Sequence, residues 1–339
     1  MTGRFILRKR VIGTAVFFVL SVALVVALVR QITLRDIERL VSRLTVAEFV
    51  VLCGLYLLMA YFRGIRLGYI IRETDHVRMT SIAAIHAFCN LILPFRLGEL
   101  SLPFLIRAFT TRGLGVGSLS LVVVRLYDAV AIAMLSIVAL IVVDVEGSPL
   151  AERMLWACAI AAVAAVVVVF RYLDRLVWMA AATAALLLGF LGEAGRKAAS
   201  RVNELAEHIG REIDALGARQ KYVLLPVTSV AVILLNYTLF YFIMVFMGID
   251  IGFFLNVLAS LGDLLASFLP NALGSFGTME AGWAAGYALC GVSKADAIAT
   301  GFIMHGIILL SGFVFSVVGI AYLLARRPRT ETGKGHAQE

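Results

Sequence analysis

Charged residues are scarce in this chain, and the common catalytic motifs are missing from it. Asp, Glu, Lys and Arg make up 15% of its 339 residues, against roughly 25% in a typical soluble domain. The sequence contains no P-loop, no HExxH zinc motif, no nucleophile elbow and no dinucleotide-binding fingerprint. These absences argue against a soluble enzyme and against ATP-driven chemistry, and they predict no resident cofactor or metal.

Cysteine is equally scarce. The four cysteines, Cys53, Cys89, Cys158 and Cys290, stand far apart in apolar stretches and form no CxxC pair. Thiols in such surroundings usually behave as small buried hydrophobic groups. The spacing therefore indicates free thiols, with neither a disulfide framework nor a zinc site.

Apolar residues make up most of the chain. They account for 61% of it, and the mean hydropathy is +0.96. This composition predicts an all-α, multi-pass membrane protein. The net charge of +8 is interpreted as Lys and Arg on the cytoplasmic side of an inner membrane, not as a nucleic-acid-binding surface. The basic N-terminal residues place the N-terminus in the cytoplasm.

Six apolar segments are predicted to cross the membrane, which leaves both termini cytoplasmic. They are residues 11–29, 46–62, 116–143, 150–170, 222–247 and 295–324. Arg63 and Arg66 are expected to follow the second span in the cytoplasm.

The region between the fourth and fifth spans admits two interpretations. Residues 172–192 are apolar enough to cross, but a crossing would place the basic residues that follow outside. We therefore expect 172–192 to lie at the cytoplasmic interface and to continue into an amphipathic helix over 194–216. Residues 326–339 are expected to form a polar cytoplasmic tail.

One short pattern occurs twice within this apolar sequence. Residues 89–99 contain a Leu-Pro step followed by a Gly and Glu99, and residues 267–280 repeat this order up to Glu280. The apolar arms on either side are too short to cross a bilayer, which takes about 20 residues. A proline also breaks a helix. The pattern predicts two re-entrant helical hairpins, broken at Pro94 and at Pro270.

The predicted topology relates the two hairpins by inversion. The first would enter from the cytoplasm and the second from outside, within repeat units 46–143 and 222–324. The fourth span and an interfacial helix within 172–219 would link these units in a single domain over 1–325. Secondary transporters often have this arrangement, with the substrate site at the midplane between repeats.

The two glutamates are the leading functional candidates. An ionisable group at membrane depth is expensive, so it is a functional hypothesis by default. Glu99 and Glu280 are expected to accept protons or to pair with a cationic head group. The alternative is that each caps the N-terminus of a half-helix. His305, downstream of Glu280, is the predicted neighbour of the protonatable glutamate, although a satisfied core histidine is the plainer interpretation.

Arginine supplies the complementary charge. Arg96 and Arg125 beside a half-helix N-terminus would suit an anion such as phosphate. The alternative for Arg125 is a structural ion pair with Asp128, because the two are three residues apart on one helix.

The amides and glycines are expected to support the breaks. Asn90 and Asn271 would satisfy backbone groups that the breaks expose, and Gly98, Gly274 and Gly277 would permit turns and close helix approach. The predicted substrate or translocation site therefore comprises Asn90, Pro94, Arg96, Gly98, Glu99, Arg125, Asp128, Pro270, Asn271, Gly274, Gly277, Glu280 and His305.

These motifs resemble the flippase-like transmembrane region of the lysylphosphatidylglycerol synthase family. Its first pattern is matched by Asn90, Leu93, Pro94, Arg96, Gly98 and Glu99. Its second is close to Pro270, Gly274, Gly277, Thr278 and Glu280. The likeness covers about residues 10–325. It implies lipid translocation or work on lipid-linked glycans, without the aminoacylation of the full-length synthases.

Three functions follow in order of preference. The first is a flippase that moves a polar or anionic lipid between leaflets. The second is a membrane enzyme or accessory subunit acting on a polyprenyl phosphate or lipid-linked glycan. The third is a secondary transporter of a small solute. A membrane lipid is the expected substrate, and a lipid-biosynthetic enzyme or glycosyltransferase is a conceivable partner.

Overall fold

The protein is helical throughout the residues that the computed structural model describes. These are 21–143, 216–267 and 275–326, with isolated positions beside and between them. Residues 21–29 are helical. The helices that follow are α1 (Leu34–Val41), α2 (Val46–Ile71), α3 (His76–Ile92), α4 (Ser101–Phe109), α5 (Leu114–Val142), α6 (Leu225–Phe246), α7 (Phe253–Ala266), α8 (Thr278–Leu289) and α9 (Lys294–Ala325).

Four of the described helices are long and apolar enough to cross a membrane. They are α2, α5, α9, and α6 with the π-helical turn Gln220–Leu224 before it. The shortest has 26 residues, which gives about 39 Å at 1.5 Å per residue and exceeds the roughly 30 Å of a hydrocarbon core. The predicted second, third, fifth and sixth spans are therefore confirmed as membrane-length helices.

The predicted end of the second span is wrong. Helix α2 does not stop near Phe62 but continues to Ile71. Arg63 and Arg66 therefore belong to the helix and do not stand in a loop after it. The physical reason is that Arg66 is neutralised inside the protein by Asp128, so its charge does not mark the membrane edge.

Several predictions lie outside the described residues. They concern the first part of the first span, the span over 150–170, the segment 172–192 and the C-terminal tail beyond Arg326. The amphipathic helix over 194–216 is described only at isolated positions.

A 3-10 helix, Pro94–Leu100, separates α3 from α4 and confirms the first predicted break. Phe95 and Arg96 have φ of 55° and 58°, the left-handed region that costs a non-glycine residue roughly 1–2 kcal/mol. Strain of this kind tends to occur at functional sites.

The second interruption lies between α7, which ends at Ala266, and α8, which begins at Thr278. Pro270, Asn271 and Gly274 fall outside the described residues, so the break at Pro270 stays a prediction.

Glycines allow the broken segments to pack closely. A Cβ on Gly98 would lie 2.4 Å from the Cα of Asn90, so the predicted close approach is confirmed there. In the second segment, a Cβ on Gly282 would lie 2.4 Å from the carbonyl oxygen of Gly262, and one on Gly286 would lie 1.9 Å from that of Ala259. Small residues therefore bring α3 against the 3-10 helix and α7 against α8.

The short helix α1 lies beside the start of α9. Its first turn is capped by Thr33, whose backbone N–H and hydroxyl donate hydrogen bonds to Asp36. These hydrogen bonds lower the pKa of the Asp36 carboxyl. Arg39 of α1 forms an ion pair with Asp296 in the first turn of α9.

Candidate functional site

The chain from α3 to α4 is the first interrupted segment, and the chain from α7 to α8 is the second. A cavity of about 780 Å³ lies where these two interrupted segments meet. Its walls come from both segments and from α2, α5, α6 and α9. Among the described residues, its polar lining consists of Tyr56, Arg63, Arg66, His86, Asn90, Arg96, Glu99, Arg125, Asp128, Asn236, Asp263, Ser267, Ser275 and Thr278. Such a concentration of charge within an apolar protein makes this cavity the candidate site.

The two interrupted segments contact each other directly at this cavity. The backbone N–H of Ser275 donates to the carbonyl of Leu91, with nitrogen and oxygen 3.1 Å apart. Arg96 donates from Nε and Nη2 to the carbonyl of Ser267, at 3.1 and 2.6 Å. Each segment therefore satisfies backbone groups that the interruption of the other exposes. This is a requirement for irregular backbone away from bulk water.

Glu99 is shared by two guanidinium groups. Its Oε1 lies 3.3 Å from Nη2 of Arg125 and 3.8 Å from Nη1 of Arg96. The two arginine side chains stay 49% and 42% exposed. One carboxylate against two cations leaves a net positive charge on this wall of the cavity, which favours an anion.

Asp128 pairs with a residue that the sequence did not suggest. Both terminal nitrogens of the buried Arg66 contact its carboxylate, and Nη2 lies 3.3 Å from Oδ2. Nη1 of Arg66 also donates to the Ser229 hydroxyl at 2.8 Å. The alternative pair between Arg125 and Asp128 is therefore wrong, because Asp128 accepts a two-pronged hydrogen bond from α2. This contact joins α2, α5 and α6.

Glu280 and His305 form a sealed pair beside the cavity. Oε1 of Glu280 and Nδ1 of His305 are 2.6 Å apart, and both side chains are fully buried. The other oxygen, Oε2, accepts the backbone N–H of Gly277 at 2.7 Å. The Phe276 ring stacks on the imidazole with ring centroids 4.1 Å apart. The predicted neighbour of Glu280 is confirmed, and Glu280 also caps α8.

The side chain of Asn90 forms no hydrogen bond with the described backbone groups that the helix break exposes, so that prediction is wrong. Its Nδ2 lies 3.1 Å from Nε2 of His86, whose Nδ1 lies 2.9 Å from the Ser101 hydroxyl. The nearby carbonyl of Leu91 is instead satisfied by Ser275. The side chain of Asn90 therefore helps to join α3 to α4.

Sequence reasoning missed several of the polar residues that line the cavity. Arg63 and Arg66 were expected in the cytoplasm after the second span, because basic residues commonly mark the cytoplasmic edge of a span. His86, Asn236 and Asp263 received no role. Asp263 had a usable signal, because a lone carboxylate in an apolar hairpin arm meets the same cost that singled out Glu99.

The described residues give no sign of a metal site. They contain no group of three or more His, Cys, Asp or Glu side chains that could hold an ion. Cys53, Cys89 and Cys290 are free thiols, as predicted, while Cys158 lies outside the described residues. The cavity instead offers guanidinium, carboxylate, amide and hydroxyl groups next to apolar walls. This combination suits an amphiphilic ligand that carries a charge.

Comparison with known proteins identifies the family. The family model described as the lysylphosphatidylglycerol synthase transmembrane region matches residues 10–319. No curated protein and no solved structure matches the chain. The match spans most of the sequence and includes both interrupted segments and the cavity residues between them. The chain therefore belongs to the family of the lysylphosphatidylglycerol synthase transmembrane region.

Proposed function

We propose that this protein moves a polar or anionic lipid between the leaflets of the cytoplasmic membrane. The observation that carries the proposal is the polar cavity between the two interrupted segments. Its volume falls within the range of about 300–1,000 Å³ common for ligand sites. Membership of a family named for a lipid-modifying synthase supports a lipid as substrate.

The charged groups in and beside the cavity suggest different roles for the two interrupted segments. Arg96 and Arg125 stand beside the path of an anionic head group, and Glu99 holds both side chains in place. Glu280 and His305 supply a buried acid–imidazole pair that can share a proton outside the cavity. Under this proposal the first segment binds the head group and the second carries the proton chemistry.

Purified protein reconstituted into vesicles tests lipid movement. We expect a fluorescent phosphatidylglycerol to exchange between leaflets faster than in empty vesicles. Arg125→Gln should lower the protein-dependent rate at least tenfold, because the cavity loses a cation that faces the head group. Arg107→Gln, at an exposed residue of α4 outside the cavity lining, should leave the rate unchanged.

Three other results would decide against this function. Rates equal to those of empty vesicles would contradict lipid translocation. Movement of a labelled polyprenyl phosphate alone would favour the role on a lipid carrier. Uptake of a small water-soluble solute without lipid movement would favour a solute transporter.

The inverted repeat is part of the same proposal, and the helix packing supports it. Suppose that α2, α3, α4 and α5 correspond to α6, α7, α8 and α9. The packing of α3 against α9 then corresponds to that of α7 against α5, and α4 against α5 corresponds to α8 against α9. Likewise α5 against α6 corresponds to α9 against α2, and α2 packs on its own counterpart α6. A two-fold exchange of two inverted units would produce this set of contacts.

Labelling of single cysteines from each side tests the orientation. The starting protein has its four native cysteines replaced. Cysteine at position 112, after the first hairpin, should react only with a cytoplasmic reagent, and cysteine at 293, after the second, only with an external one. Cysteine at 2 should label from the cytoplasm, as the positive-inside rule predicts. Reaction of positions 112 and 293 from the same side would contradict the inverted repeat.

A further inference from the structure

Among the described residues, four arginines line the cavity, and they differ in the hydrogen bonds that their guanidinium groups form. Arg66 is held by Asp128 and Ser229. Arg125 is bound to Glu99, and Arg96 to Glu99 and the Ser267 carbonyl. Arg63 alone among the four has neither a hydrogen bond nor an ion pair with any described residue.

The ion pair one turn away fixes the position of Arg63. Arg63 and Arg66 are three residues apart on α2 and therefore share a face. Arg66 binds α5 and α6 through Asp128 and Ser229, which holds this part of α2 in place. Asp128 already accepts hydrogen bonds from Arg66, and it attracts Arg63 without forming an ion pair with it. A cation that lacks a direct hydrogen-bonded partner in a largely apolar protein is costly unless an anion binds to it.

Arg63 also lies at the boundary between the polar and the apolar part of the cavity. Along α2 the lining changes from Met59 through Arg63 to Arg66, and along α5 from Asp128 to Ile132. From the pair of Arg66 and Asp128, the lining becomes apolar at Met59, two turns away on α2, and at Ile132, one turn away on α5, and Arg63 lies between Arg66 and Met59. In a phospholipid the phosphate occupies the same kind of boundary, between the head group and the chains.

We propose that Arg63 is the binding residue for the phosphate of the ligand, and that the ligand is an amphiphile whose phosphate ester joins a polar head to an apolar chain. The guanidinium offers a planar pair of donors that matches two phosphate oxygens. Arg125, bound to Glu99 on the neighbouring wall, adds positive charge. The lipid-like ligand class of this inference rests on the proposed function. The inference adds a phosphate-binding role for Arg63, a residue that lies outside the two repeated motifs.

Equilibrium binding to the purified full chain in an uncharged detergent tests the assignment without transport. The probes are dihexanoyl phosphatidylglycerol, dihexanoylglycerol, which lacks phosphate, and inorganic phosphate. We expect the wild-type protein to bind the phosphatidylglycerol at least tenfold more tightly than either other probe. Arg63→Gln should weaken that binding at least tenfold and leave the weak binding of dihexanoylglycerol unchanged.

Two further variants separate charge, geometry and folding. Arg63→Lys keeps the charge but loses the planar donor pair, so its affinity should fall between those of the wild type and Arg63→Gln. If Arg63→Gln does not yield folded protein, the comparison of Arg63→Lys with the wild type decides the question. Arg107→Gln on α4 serves as the matched control and should bind like the wild type.

The outcomes distinguish this inference from the function on which it rests. Full affinity in folded Arg63→Gln and Arg63→Lys, with phosphate-dependent binding in the wild type, would overturn the role of Arg63 only. Equal affinity of the wild type for inorganic phosphate and the short-chain lipid would overturn the amphiphile and indicate a soluble anion. A wild type that binds none of the probes would count against both this inference and lipid translocation.

Discussion

The two repeated motifs place their glutamates in opposite surroundings. Glu99 is 29% exposed at the cavity and shared by two guanidinium groups. Glu280 is fully buried, with an imidazole on one oxygen and a backbone N–H on the other. The partners stand at matched distances along the chain, since Arg125 follows Glu99 by 26 residues and His305 follows Glu280 by 25. One motif thus provides an accessible charge network and the other a sealed pair.

The identity of the partner accounts for this difference. A guanidinium carries five N–H donors, and Glu99 is the one acceptor for Arg125 among the described residues, so the remaining donors of Arg125 stay open to solvent or a ligand. A histidine can be neutral and satisfy a carboxyl group through a single proton, so His305 can be enclosed. Phe276 completes the enclosure by stacking on the imidazole. A duplicated pattern can therefore serve binding in one copy and proton chemistry in the other.

Truncation of the two glutamates to alanine should affect stability very differently, because only Glu280 is fully buried. Glu280→Ala leaves Nδ1 of His305 and the N–H of Gly277 buried without their acceptor, at about 1–3 kcal/mol for each. We expect the free energy of unfolding to fall by about 2–6 kcal/mol, the sum of the two losses. Glu99→Ala should cost no more than about 1 kcal/mol, since exposed ion pairs contribute little.

Unfolding of both variants in the same detergent, followed by circular dichroism, measures these losses. Thr332→Ala, in the C-terminal tail, controls for handling. Equal losses for the two glutamates would show that burial does not separate their roles.

The backbone break at Pro94 and the partner of Glu280 could be predicted from the sequence. A Leu-Pro step in an apolar run is sufficient to predict the interruption at Pro94, because proline cannot continue the helix ladder. The pairing of Glu280 with His305 followed from matching the two copies. The first feature depends on residues close together in the chain, and the second depends on the repeated motif.

Contacts between helices that are distant in the chain could not be predicted from the sequence. Arg66 and Asp128 are 62 residues apart, and helical periodicity gives the face of a helix without naming the helix that it meets. The positive-inside rule therefore led to the prediction that Arg63 and Arg66 lie in the cytoplasm after the second span, because it treats each arginine as unpaired. That assumption fails for Arg66, which pairs with Asp128 of another span. The most informative cavity residue, Arg63, was missed for the same reason.

Replacement of each glutamate by glutamine tests its protonation while changing the stability of the protein little. In Glu280→Gln the amide oxygen can still accept the Gly277 N–H, and the amide nitrogen can donate to Nδ1 of neutral His305. The fold should therefore remain, while the pair loses its exchangeable proton. We expect lipid movement in vesicles to depend on pH in the wild type and to lose that dependence in Glu280→Gln.

Glu99→Gln is the matched control for this last experiment. It frees Arg96 and Arg125 from a shared carboxylate, so it should change lipid affinity, while the pH dependence stays as in the wild type. Rates for both variants are compared between about pH 5.5 and pH 8, a range that brackets the unperturbed histidine pKa of about 6.5. A pH response lost in Glu99→Gln and kept in Glu280→Gln would place the titrating group in the cavity. The sealed pair would then be structural, and the division of roles between the two motifs would be reversed.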